Sequence, residues 1–139
     1  MNWRRLHAWA AVLWVGVIVV QVILAGLAIA NLGGSGDFQT HMDFGFNIGF
    51  VQLVALILAF PAKASGRDKQ ISFGLLVLYI VQILLPGFKG SIPFLAALHP
   101  LNAMILFACS AWYARHAWRV ASASAEVPAT AAVAPAEAS

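Results

Sequence analysis

Four histidines stand out in a chain otherwise poor in reactive side chains: His7, His41, His99 and His116. His7 and His116 lie beside Arg4, Arg5 and Arg115, where solvation at a membrane interface accounts for them. His41 and His99 sit near the starts of two apolar stretches. Two imidazoles projecting inward from opposed helices can ligate one iron, each taking an axial position on one side of a haem plane. His41, Gly45 and Gly49 recur every four residues and share a helix face. Glycine there admits close approach, by a neighbouring helix or by a flat macrocycle. Such faces are common in membrane bundles, and these two glycines matter because His41 lies on their face. Zinc suits the pair less well, since it takes three or four protein ligands and only Asp37 or Asp43 is near enough in sequence to add to two histidines. Alternatively, each histidine caps a helix or meets lipid headgroups and has no cofactor.

The elements that must position these residues are legible from composition. Of 139 residues, 62% are hydrophobic, while Lys and Arg number 8 and Asp and Glu number 5. Soluble domains carry roughly a quarter charged residues to cover their surface, so this chain, with a mean hydropathy of +0.86, belongs in lipid. A single cysteine, Cys109, excludes an internal disulfide framework and any multi-cysteine zinc or iron–sulfur site. No P-loop, dinucleotide fingerprint or nucleophile elbow is present.

Charged residues are absent between Arg5 and Asp37, Asp43 and Lys63, Lys69 and Lys89, and Lys89 and Arg115. Each gap exceeds or approaches the roughly 20 residues that a helix needs to cross hydrocarbon. Four segments cannot close a barrel, so the backbone must satisfy itself as helices. The expected fold is an all-α polytopic membrane protein, a four-transmembrane-helix bundle over residues 1–119, with spans near 8–32, 42–60, 71–85 and 93–113. Arg4 and Arg5 precede the first span as in a signal peptide, but its apolar run is too long for an h-region and is expected to persist as an anchor. Gly33 to Asp37 reads as a flexible loop, and the Ala/Ser/Pro-rich residues 120–139 as a disordered tail.

Arg4, Arg5, Lys63, Arg67, Lys69, Arg115 and Arg119 fall on one side of these spans and Lys89 on the other. The positive-inside rule then places both termini in the cytoplasm of a bacterial inner membrane, with His41 and His99 toward the outer face. Topology explains the basic balance, and nothing calls for nucleic acid. Gln21, Gln52, Gln82 and Asn102 fall in one mid-bilayer layer, each about 12 to 18 Å from the outer boundary at 1.5 Å per residue. They read either as interhelical hydrogen-bonding glue or as the polar wall of a pocket. His99 precedes Pro100, which leaves two geometries open: a fourth helix starting near Pro93 and kinked at Pro100, or one starting at Pro100.

The four spans, His41 with Gly45 and Gly49, and the run Leu98, His99, Pro100, Leu101, Asn102, Ala103 resemble an uncharacterised family of small four-helix bacterial membrane proteins. More distantly, they are similar to one four-helix half of haem A synthase. That resemblance implies histidine ligands on the second and fourth helices, matching His41 and His99. The chain departs from the enzyme in having one bundle rather than two and no cysteine pair in the outer loop, where only Asp37 is acidic. Pairing of two chains would restore eight helices. The expectation is a bundle binding a b-type haem through His41 and His99, with Gly45, Gly49, Asn102 and Gln52 around the macrocycle, for electron transfer or haem handling rather than catalysis. Its rival is a cofactor-free structural or assembly subunit of a membrane complex. A transporter is weaker, since the spans hold no charge and no paired broken helices are evident.

Overall fold

A computed structural model describes residues 1–31 and 37–126. In chain order these form α1 (Trp3–Ile29), α2 (Gln39–Asn47), α3 (Gly49–Leu58), α4 (Gly66–Leu84), a 3-10 segment (Leu85–Gly90), α5 (Pro93–Ala97) and α6 (His99–Glu126). Among the described residues they build four rods long and apolar enough to cross a membrane: Trp3–Ile29, Gln39–Leu58, Gly66–Gly90 and Pro93–Ser124. The fourth rod runs past the expected end of the bundle. Residues 120–126 are helical rather than part of a loose tail, because Ala121 is buried against the core. Residues 127–139 of that expected tail and 32–36 of the expected loop lie outside the described residues.

Local chemistry sets the rod ends. The Asn2 side chain accepts from the Arg5 N–H at the start of α1, and Ser65 accepts from the Asp68 N–H at the start of α4. The Ser65 hydroxyl also donates to Asp68 Oδ2 at 2.8 Å, which draws the third span's helix back to Gly66. Past the ends of α1 and α3, Asn31 (φ 53°) and Lys63 (φ 52°) take the left-handed conformation. The Ala64 N–H closes the second of these turns onto the Ala59 carbonyl at 3.0 Å. Asparagine visits that conformation readily; a lysine there costs about 1 to 2 kcal/mol.

Two rods are broken, the second rod seven residues after His41 and the fourth directly before His99. The second changes course at Ile48, between α2 and α3. There the Tyr79 hydroxyl reaches the Gly45 carbonyl at 2.9 Å and the Phe46 carbonyl at 3.0 Å, acting as a side-chain wedge in the helical ladder. The wedge fits because Gly49 has no Cβ; one built there would overlap the Tyr79 ring. The fourth rod enters at Pro93 and is interrupted at Leu98. It resumes with the Asn102 N–H on the Leu98 carbonyl, while Pro100 has no N–H to give. The structure thus takes something from each of the two open geometries: a short helix enters at Pro93 and a second starts at His99, with the break falling two residues before Pro100.

Helix α1 packs on α3 and α6, and α4 also packs on α3 and α6, so the second and fourth rods stand diagonally opposed. Alanines 8, 11, 114, 117 and 121 of α1 and α6 lie in the core and let backbones approach closely. Trp14 fills the centre, donating its indole N–H to Ser110 Oγ at 2.9 Å and meeting Tyr79 edge to face. The exterior is apolar instead of polar: Phe50, Phe94 and Met104 are about two-thirds or more exposed, as suits a lipid-facing wall.

Gly49→Ala is expected to lose about 1 to 3 kcal/mol by overpacking against Tyr79. Denaturation of the detergent-solubilised protein measures this, and an unchanged midpoint would contradict the wedge.

Candidate functional site

The diagonal arrangement brings His41 and His99 together. Their ring centroids are 6.3 Å apart with planes at 72°, and both residues are half-buried. His41 opens the second rod just after Phe38, whose ring meets it edge to face at 5.9 Å. His99 opens α6 directly at the break in the fourth rod.

Each imidazole is held by a glutamine from the helix that precedes it. His41 Nδ1 lies 3.1 Å from the Gln21 carbonyl, and its Nε2 lies 3.2 Å from Gln21 Nε2. His99 Nδ1 lies 3.0 Å from the Gln82 carbonyl, with Gln82 Nε2 3.1 Å from both ring nitrogens. A carbonyl only accepts, so each Nδ1 carries the proton and each Nε2 presents a lone pair to an amide N–H. This is the arrangement by which a backbone carbonyl fixes the tautomer of a ligating histidine.

The surrounding polar groups extend the two pairs unequally. Asn102 donates to Gln82 Oε1 at 2.8 Å and to the Leu78 carbonyl at 3.1 Å, so it orients the glutamine that holds His99. On the other side, Gln21 Nε2 also donates to the His41 carbonyl at 2.8 Å. Its Oε1 is the one buried side-chain nitrogen or oxygen without a hydrogen-bond partner among the described residues. An orphaned acceptor costs about 1 to 3 kcal/mol, and it sits directly beside the histidine pair.

The other expected site residues divide. Gly45 and Gly49 do not stand open to a macrocycle. A Cβ on Gly45 would come 2.6 Å from Gln21 Nε2, and the space over Gly49 belongs to Tyr79, so both glycines admit neighbouring side chains. Gln52 stands apart, buried and donating to the Ser72 carbonyl at 2.8 Å and hydroxyl at 3.2 Å. The single layer of four amides is thus split: Gln21, Gln82 and Asn102 join the histidines, while Gln52 ties α3 to α4. Among the described residues no group of three or more His, Cys, Asp or Glu is placed to hold a metal ion.

Gln21 and Gln82 as histidine partners were missed, though a signal exists. Val20-Gln21-Val22-Ile23-Leu24-Ala25-Gly26 is echoed by Val81-Gln82-Ile83-Leu84-Leu85-Pro86-Gly87. Each copy precedes its histidine by one connection, so the molecule is two successive helical hairpins, each with a glutamine facing a histidine. At the other end of the bundle His7, expected to be solvated, is buried against Tyr113.

Residues 21–88 match a family described only as a family of unknown function (DUF6220). The matched stretch holds Gln21, His41 and Gln82 and stops short of His99. No curated protein and no solved structure matches the chain, and these comparisons show no similarity to haem A synthase.

Nitrogen-15 NMR of histidine-labelled protein in bilayers is expected to give the Nδ1-protonated tautomer for His41 and His99 in neutral rings. Protonation at Nε2 in both rings would contradict the carbonyl contacts.

Proposed function

We propose that this chain is a bacterial inner-membrane bundle, both termini cytoplasmic, that holds a b-type haem between His41 and His99 near the outer face and serves electron transfer or haem handling. The observation that carries the reading is the facing of two imidazoles from diagonal rods, 6.3 Å between centroids. His41 and His99 would supply the two imidazole nitrogens that hold the iron, one from each rod.

The donor set argues for haem over a bare ion. Two neutral imidazoles without a third protein ligand make a poor zinc site, whereas a porphyrin supplies the remaining donors itself. Haem bound this way brings one-electron chemistry, tuned by its axial ligands and their hydrogen bonds. The protein's part would be to hold each Nδ1 proton on a carbonyl, which leaves Nε2 as the ligating atom. The Gln21 and Gln82 amides occupy those lone pairs and must swing aside on loading. For Gln21 that movement gives up the bond from its Nε2 to the His41 carbonyl, while its Oε1, unpartnered here, has no bond to lose. With His41 and His99 both committed to holding the group, no catalytic step is assigned.

A second reading, a cofactor-free subunit that binds lipid and other membrane helices or a second copy of itself, is favoured by one observation. The imidazole nitrogens are already satisfied within their own hairpins, as interhelical hydrogen bonds require. Expression with ample haem, extraction in mild detergent and a reduced-minus-oxidised absorbance spectrum separates the two. The haem reading predicts a low-spin spectrum lost in His41→Ala and in His99→Ala. A colourless protein, or a spectrum that both variants retain, leaves the structural reading.

A further inference from the structure

At the opposite end of the bundle from the histidine pair, a cavity of about 590 Å³ lies between the start of α1, the turn joining α3 to α4, and the last turns of α6. Arg4, Lys63 and Arg67 line it, and the one acid in its wall is Asp68. That carboxylate is already engaged: Oδ1 is 3.0 Å from His116 Nε2, and Oδ2 accepts from the Ser65 hydroxyl. Arg4 donates to the Ser124 hydroxyl, which brings no negative charge. Among the residues whose side chains are described, 1–31 and 37–124, none of the three cations has a carboxylate partner.

The inner wall is built and rigid. Tyr113, buried, donates to the Asp68 carbonyl at 3.1 Å and lies 3.2 Å from His7 Nε2. Trp112 stacks on His116 with ring planes 7° apart. Ala62, Ile71, Ala117 and Val120 supply apolar surface beside these groups. Lys63 adds a second and independent observation. It occupies a left-handed turn position where glycine carries no steric penalty, so the local fold gains nothing from a lysine there. Its cationic side chain lines the wall of the cavity.

We infer that this cavity binds a phosphate-bearing anion, its charge neutralised by Arg4, Lys63 and Arg67 and its carbon skeleton lying on the apolar wall. The source is either the head of an anionic phospholipid or a soluble phosphate compound. The inference rests on this end of the bundle alone and stands whether or not His41 and His99 hold a haem.

The full chain in detergent, titrated with phosphatidylglycerol or with phosphatidylcholine of the same acyl chains and read by native mass spectrometry, tests it. Phosphatidylglycerol binding is expected to be weakened about fivefold by Lys63→Gly and again by Arg67→Gln, from about 1 kcal/mol per basic side chain. Lys63→Gly is the informative variant because it suits its turn and should leave the unfolding midpoint undiminished. Lys69→Gln, a cation of the same end that lies over Phe60 outside the cavity, should change nothing. Competition by inorganic phosphate assigns the site to soluble phosphate compounds, and failure to compete assigns it to lipid. Equal binding of the two lipids without any binding of inorganic phosphate, or equal loss in Lys69→Gln and Lys63→Gly, overturns it.

Discussion

In hydrocarbon a polar group without a partner costs several kcal/mol, and no water is present to supply one. Four rods long and apolar enough to cross a membrane are subject to that constraint wherever they lie in lipid. Four amides donate to partners on a neighbouring rod, Gln21 to His41, Gln82 to His99, Asn102 to Gln82 and Gln52 to Ser72, and only Gln21 Oε1 is left without one among the described residues. These bonds join helices adjacent in sequence, so each hairpin carries its own polar clasp. The apolar exterior contributes little to holding helices together in lipid, where tails are as apolar as leucine. Small-residue contact between α1 and α6 and the internal hydrogen bonds fix which faces meet.

The same bonds give the histidine pair its form. A clasp in each hairpin turns one imidazole inward, and diagonal packing sets the two rings against each other at 6.3 Å. The second rod is interrupted at Ile48 and the fourth at Leu98. Tyr79, held over Gly49, fixes the first break. The backbone departs from regular helix two turns after His41 and immediately before His99. Irregular backbone at membrane depth is tolerated where protein or a cavity surrounds it.

Much of the architecture was legible because charge is so costly in lipid that its absence marks each span, and the four gaps between charged residues contain the bulk of the four rods. The pairing of His41 with His99 was legible too, because alternate helices of a four-helix bundle stand on its diagonals. The glutamine partners were not read, since helix rotation decides whether Gln21 or Gln52 turns toward a histidine, and uniformly apolar helices leave no amphipathic stripe to fix it. Gly45 and Gly49 were ambiguous for a related reason: a glycine marks close approach without naming what approaches. The continuation of α6 to Glu126 was obscured by its alanines, which read as tail composition yet include Ala121 in the core.

The central claim, that two imidazoles from separate rods grip one iron, is tested most directly by electron paramagnetic resonance of the oxidised protein isolated with haem. The account predicts a low-spin ferric signal of two-imidazole ligation that becomes high-spin or disappears when either His41 or His99 is replaced by alanine. A high-spin signal in the unaltered protein, or no iron signal at all, would contradict it.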